Sequence, residues 1–582
     1  MKKKKSRTLL KVGIAAGAAA AAAAGAKRYY DNKRNREENE KKAMNTAGEN
    51  RSTGDYGNRQ IYFIGGGLAS MSGAAYLIRD CKIEGKNIHI LEGMPILGGS
   101  NDGAGDADHG FVCRGGRMLN EETYENFWEL FSSIPSVEHK DKSVTEEILN
   151  FDHHHPTHAQ ARLIDKDGRI LDVKSMGFNN ADRLALGKLM LTPEEKLDNM
   201  TIQEWFKNTP HFFETNFWYM WQTTFAFQKW SSLFEFKRYM ERMIFEFSRI
   251  ETLEGVTRTP YNQYESVIVP LKAYLKERGV DFNTGCTVTD LDFKEGDGIT
   301  VTAIHCNENN MDRIIELAEG DLCIMTNACM TDSATLGDFN TPAQYRPDRP
   351  ISGELWYKAA HKKDGLGNPE PFFNHPDETN WESFTVTCKG NKLLKMIEDY
   401  SGNVPGSGAL MTFKDSNWLM SIVVAAQPHF TNQPMDTTIF WGYGLYTDKE
   451  GDYVKKPMRG CTGEEMLVEL LHHLHFEDQI DEIMDSVVNV IPCMMPYVDA
   501  QFQPRAMTDR PKVVPDGSAN FAMISQFVEI PEDMVFTEEY SVRAARIAVY
   551  TLMNYQGKEI CPVTPYKKDL KILKKALQTA YR

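Results

Sequence analysis

Two short apolar runs, Ile61 to Ile64 and Ile88 to Leu91, constrain this chain more than any other feature. The first passes into Gly65, Gly66 and Gly67 and then into an Ala/Ser-rich helical stretch that begins Leu68, Ala69, Ser70. The second closes on Glu92 and is followed by Gly98, Gly99 and Ser100. Strand, tight glycine turn, helix, and a second strand ending in an acid is the order of a dinucleotide-binding unit. The glycines let backbone approach a pyrophosphate, the helix N-terminus faces it, and the acid holds a ribose hydroxyl. Ser70 stands where the usual fingerprint has its third glycine, so order, spacing and Glu92 carry the assignment together. A glycine turn in some other α/β sheet is the alternative.

At 582 residues the chain divides into two or more domains. A net charge of −15 argues against a general nucleic-acid binder, whose footprint is basic. Aromatic residues are densest between Phe206 and Phe247, and methionines number 27. That supply suits a long apolar cavity with adaptable walls or an ordinary apolar core. The 10 cysteines are scattered with no C-x-x-C pair, which reads as reduced thiols in a cytosolic protein.

The first 58 residues form a lysine-rich, Ala-rich segment and tether. Lys2 to Lys5 precede an Ala/Gly-rich run that contains Lys11, which makes insertion across a bilayer marginal. A helix touching anionic lipid through its lysines is expected, and a membrane anchor or cleaved signal is the alternative. The expected location is therefore cytoplasmic and peripheral to the membrane.

Further along, 59–135 reads as the first part of an FAD-binding domain, with a helical pattern from Glu121 through Phe131. Residues 136–260 read as a helical substrate or lid region. The second part of the FAD domain spans 261–340 and includes the strand through Val288. Residues 341–500, with short alternating runs, read as a mainly antiparallel substrate-binding region. In 501–565 a late strand, Phe521 to Val528, leads into a helix from Ser541. A late strand and helix returning to the first nucleotide site fits FAD better than NAD. The expected class is α/β: a Rossmann-like FAD-binding domain with a mixed β-rich substrate region and a helical insertion. Residues 566–582 form a basic amphipathic helix with Leu570, Leu573 and Leu577 on one side, for a membrane surface or a subunit contact in a homodimer. Asp152 to His155 with His158 reads as an exposed polar loop, and no metal site is expected.

These pieces resemble the oleate hydratase family, once called myosin-cross-reactive antigen, from about Arg59 to about Tyr566. The motifs are Gly65 to Ser70, Leu97 to Gly103, Arg114-Gly115-Gly116-Arg117, Thr223 to Trp230, Tyr261 to Ser266 and Gln427 to Phe430. Arg505, Asp509 to Pro511, and Ser541 to Arg546 also match. The resemblance implies an FAD-containing lyase that adds water across a cis double bond of a free long-chain fatty acid. Oleate or linoleate would give a 10-hydroxy acid, with no net redox change. A flavin-dependent double-bond isomerase or oxidoreductase on the same scaffold is the alternative.

The resemblance also implies roles for residues. Tyr239 matches the proton-donating tyrosine, although its spacing from Phe236 and Met243 equally places it on an apolar helical stripe. The water-activating glutamate of many members is replaced here by Met118, which cannot accept a proton; Asn120, Glu121 and Glu122 are the neighbours able to substitute. Gln263 and His429 match contacts to the fatty-acid carboxylate, whereas Val423 and Ala425 stand where other members have Thr and Asn donors. FAD contacts are expected at Gly65, Gly67, Ser70, Glu92, Gly99, Ser100, Gly116, Arg117, Val288 and Ser541.

Overall fold

The computed structural model describes residues 59–582 apart from 102, 117, 349, 350 and 409. The readings of the N-terminal segment and of Arg117 lie outside the described residues.

A five-stranded parallel sheet organises the chain. The Ile61–Ile64 strand is central, with Ile88–Glu92 on one side and Leu322–Thr326 on the other. Asp281–Thr284 and Phe521–Ile524 form the two edges. Ile61 is in register with both Ile88 and Leu322, and Cys323 with Phe521. The inner strands are almost wholly buried, as expected where helices cover a parallel sheet. Neighbours of the first strand come from opposite ends of the domain, so a crevice opens beyond its carboxyl end. Gly65 turns the chain there at φ +93°, a conformation open to glycine. The Leu68–Arg79 helix lies close on the sheet because Gly73 has no side chain; a Cβ there would meet the Phe63 ring at 2.6 Å. The late Glu538–Leu552 helix packs beside it, so residues almost 500 positions apart complete one layer.

An antiparallel three-stranded meander, Cys286–Phe293, Val301–Glu308 and Met311–Glu316, flanks this domain. A separate seven-stranded sheet is centred on Trp381–Lys389, paired antiparallel with Thr437–Gly444 and Val487–Met495. Its far edge is parallel, where Leu410–Phe413 meets Leu163–Ile164. The aromatic stretch folds into the Asn216–Phe225 and Leu233–Arg242 helices and their neighbours. Phe206 stacks on Phe212 with centroids 3.8 Å apart, and Trp218 packs beside them.

Two local expectations shift. The helix expected from Glu121 begins at Glu125, because Asn120 Oδ1 accepts from both the backbone N–H and the hydroxyl of Thr123 and holds a turn there. His153 and His154, expected in a loop, end the Val144–His154 helix. The His154 and His155 rings pair with the carbonyls of Asn150 and Phe151, each one turn back. All ten cysteines are free thiols. Among the described residues no helix is long and apolar enough to cross a membrane.

A buried ion-pair lattice joins the helical insertion to the closing segment. Glu529 accepts from Arg238 at 2.7 Å and Arg505 at 2.8 Å, and Glu235 accepts from Arg505 at 2.9 Å. Asp533 bridges Arg242 at 3.2 Å and Arg543 at 2.8 Å. Burial alone would raise the Glu529 carboxyl, but Arg238, Arg505 and Arg510 outweigh it and hold it at about 2. Its stabilising effect is therefore present above the unfolded value near 4.5 and is lost as pH falls toward 2. Glu529→Gln should lower stability at pH 7 by about 3 kcal/mol, the effect of breaking a buried pair. Urea midpoints at several pH values test this: the gap to the unsubstituted protein should narrow through that acid window. A gap that persists unchanged at the acid end would remove Glu529 from the lattice's pH response.

Candidate functional site

Two glycine turns meet at the carboxyl ends of the parallel strands. Gly65 N–H donates to Leu91 O at 2.8 Å, and Gly98 N–H donates to Gly66 O at 3.0 Å, which ties the first turn to the loop after the second strand. Gly99, at φ +58°, lies so close that a Cβ on it would stand 3.2 Å from Gly67 Cα. Glu92 accepts the N–H of Gly66 at 2.6 Å and of Met94 at 2.7 Å, so its carboxylate braces both loops from behind. Burial raises the Glu92 pKa against those N–H groups.

A cavity of about 220 Å³ opens in front of these turns. Gly67, Gly99, Ser100, Gly116 and Ser541 line it, as do Met118, Tyr239 and Gln263. Two helix N-termini converge on its glycine end: Leu68–Arg79, and Glu538–Leu552 with Thr537 capping at the hydroxyl. Paired N-termini and side-chain-free backbone are the donor set that suits a pyrophosphate, so the residues present fit a dinucleotide. Gly65, Ser70, Glu92 and Val288 do not line the cavity. Ser70 is buried against the sheet with its hydroxyl 3.5 Å from Thr326 Oγ1, and Val288 is buried in the flanking meander.

The middle of the cavity is lined largely by aromatic and apolar side chains. Tyr239 is 1% exposed, ringed by Phe225, Phe227 and Phe502 at 5.0 to 5.8 Å. Its hydroxyl donates to the Val535 carbonyl, and burial raises its pKa well above the usual tyrosine value. It therefore stays protonated. Met118 lies in the same lining, beside Asn120. Neither Glu121 nor Glu122 reaches it: Glu121 is exposed, and Glu122 pairs with Arg249 at 2.6 Å. Sequence reasoning missed Glu246, a carboxylate that does line the cavity. It follows Tyr239 and Met243 at helical spacing, which was the available signal. Its pKa is raised by burial, and Arg249 and Asn120 donate to it.

A second pocket of about 50 Å³ adjoins the first and shares Gly116, Gln263, Val423 and Trp441 with it. His429 and Ala425 line this part. Asn262 N–H and Nδ2 donate to His429 O at 2.9 and 3.0 Å, which holds the Gln263 turn against the His429 loop. Burial, and then the charge of Arg258, push His429 down to about 4, so its ring is neutral at physiological pH. Arg258 also lines this pocket, and nothing in the sequence reading had marked it.

A profile of the MCRA family matches residues 58–550. Linoleate hydratase of Lactiplantibacillus plantarum is 41% identical across 89% of this chain and 98% of its own length. Oleate hydratase of Streptococcus pyogenes serotype M49 (strain NZ131) is 36% identical across 89% of this chain and 91% of its own. Among solved structures, an oxidoreductase from Methanosarcina mazei covers 85% of this chain and 100% of its own at 12% identity and a TM-score of 0.47.

Gly99→Ala would strain a positive φ and press the two turns apart. Backbone strain of 1–3 kcal/mol predicts roughly 5- to 150-fold weaker binding of a dinucleotide at these turns. Titration of a dinucleotide cofactor into ligand-stripped protein measures this, and an unchanged affinity would remove the paired turns from dinucleotide binding.

Proposed function

The chain belongs to the MCRA family, and we propose on that basis that it hydrates a double bond of a free unsaturated long-chain fatty acid, with FAD as its cofactor. One observation carries the reading: a single apolar cavity joins the paired glycine turns to Tyr239 and continues to Gln263 and the His429 pocket. In this assignment Gly67, Gly99, Ser100, Gly116 and Ser541 hold FAD at the glycine end. Bound there, FAD supplies a flat, polar wall and fixed charge, with no net redox change. The acyl chain lies along the apolar middle, and the carboxylate reaches Gln263 and His429.

Hydrating an unactivated alkene needs a proton delivered to one carbon and a water oxygen to the other. Tyr239 is the proton donor. Its phenol is protonated throughout the neutral range, and its O–H needs only to turn from the Val535 carbonyl to the alkene. The water oxygen bonds to the second carbon and gives up its surplus proton, which restores the phenol through the site's polar groups. Met118 cannot accept that proton. Glu246 and Asn120, on the same wall, are the side chains that orient the water. Aromatic side chains in the lining, Phe225, Trp381 and Trp441 among them, supply π-electron density that favours the positive charge developing on carbon.

The C-terminal Leu570–Ala580 helix supports a lipid-surface setting for this chemistry. Leu570 and Leu577 are 80% and 61% exposed among lysines, the composition of a helix that rests on anionic lipid.

Incubation of FAD-loaded protein with oleate and with linoleate in water labelled with heavy oxygen tests the reading. Mass spectrometry should find the label in a 10-hydroxy acid. A shifted double bond without label would make the protein an isomerase. Tyr239→Phe should slow hydration roughly 100- to 10,000-fold, the scale of a lost general acid, while FAD stays bound. Hydration at the unsubstituted rate would take Tyr239 out of the mechanism.

A further inference from the structure

We propose that Arg258 is the counter-charge for the substrate's carboxylate and restricts the site to the ionised free acid; this rests on the fatty-acid reading above and refines it. Arg258 follows the short Val256–Thr257 strand and is 8% exposed. Other buried arginines in the fold meet carboxylates or several acceptors, and even Arg510 and Arg546, whose Nε atoms meet no acceptor, face Glu235 at 3.1 Å and Glu129 at 3.3 Å. Arg238, Arg242, Arg505 and Arg543 each face carboxylates, and Arg162 donates to three carbonyls and the Thr224 hydroxyl. Arg258 differs. Its Nε and Nη2 are buried and meet no acceptor, and Asp152, the carboxylate whose charge acts on it, makes no hydrogen bond with either nitrogen. The nearby Asp152 carboxylate is engaged by the backbone N–H of Arg258 at 2.9 Å.

The identity of those two nitrogens gives the geometry. Nε and Nη2 carry parallel N–H bonds along one edge of the guanidinium, the fork that meets both oxygens of a carboxylate side-on. That edge belongs to a residue lining the second pocket, and no described Asp or Glu lines it. Gln263 and His429 share the pocket, and Gln263 Oε1 is also buried without a partner. Desolvation lowers the Arg258 pKa only to about 10, so it remains charged at neutral pH, while His429 is neutral. The pocket thus holds a cation with no carboxylate in its own lining, Asp152 acting on it from outside. An alkyl chain running from Tyr239 past Gln263 ends there, and its carboxylate supplies one. Val423 and Ala425 in the same wall offer no side-chain donor, so recognition falls to the guanidinium.

The test uses the full chain loaded with FAD, unsubstituted and as Arg258→Gln and Arg258→Lys. KM and kcat are measured for oleate and for methyl oleate, with flavin content recorded for each protein. Losing a hydrogen-bonded ion pair should raise KM for oleate roughly 10- to 100-fold in Arg258→Gln, with kcat within a few-fold. KM for methyl oleate should stay the same, and Arg258→Lys should fall between, since it keeps the charge and loses the fork. An unchanged acid-to-ester preference would overturn the proposal, as would loss of flavin with fatty-acid affinity intact. Direct binding of oleate and oleyl alcohol to the unsubstituted protein needs no variant: oleate should bind at least tenfold more tightly, and equal affinity overturns the proposal. Selective binding of oleate without hydration would sink the hydratase reading and leave the Arg258 assignment standing.

Discussion

The buried lattice of Arg238, Arg242, Arg505 and Arg543 with Glu235, Glu529 and Asp533 is the constraint on which the geometry rests. Tyr239 lies between two of those arginines on one helix, and its hydroxyl meets Val535, two residues beyond Asp533. The segment that clamps the tyrosine helix also provides the helix N-terminus at the glycine end of the cavity. Distance between cofactor end and tyrosine is thus set by one rigid connection. Such pairs pay heavily in desolvation, so their contribution is unique placement more than net stability. A core of leucines in their place would leave the tyrosine helix free to settle at more than one height against the sheet.

Met118 changes how the centre of the cavity must work. A thioether lends volume and polarisability where a carboxylate would lend basicity. The chemistry tolerates this because water adds to a carbon already made cationic by protonation, and such a carbon needs an oriented nucleophile more than a strong one. In the proposed reaction Glu246, held by Arg249 and Asn120, would orient the water without being free to swing. Proton delivery by a phenol with a raised pKa would then be the demanding half of that reaction.

What was legible in the sequence follows the range of the interactions involved. The glycine turns, Glu92 and the late return strand are local patterns or repeats of one, and the parallel sheet assembles from them as expected. Ser70 sits at a fingerprint position, but its neighbour is Thr326, more than 250 residues away, so only the fold reveals that it packs and does not face the cavity. Glu125 as a helix start was hidden because Asn120 captures the Thr123 N–H before the helix can. Arg258 was illegible for a deeper reason. A sequence shows that an arginine exists but not which arginines find partners, and pairing is decided by every carboxylate in the tertiary structure. Glu246 lies in plain periodicity behind Tyr239, but only the tertiary packing decides that this carboxylate is buried facing the cavity.

The central strand at Ile61–Ile64 and the edge strand at Phe521–Ile524 have a consequence in time. A ribosome releases the glycine turns long before it has made the Glu538–Leu552 helix that faces them. Through most of synthesis the amino-terminal half holds a crevice with one wall and an apolar sheet face awaiting its cover. Cofactor capture is therefore an event of the finished chain. Until then the nascent protein depends on whatever shields its exposed strands, and a chain broken off in its last tenth would hold nearly all the sequence of the site with no closed cavity to hold a ligand.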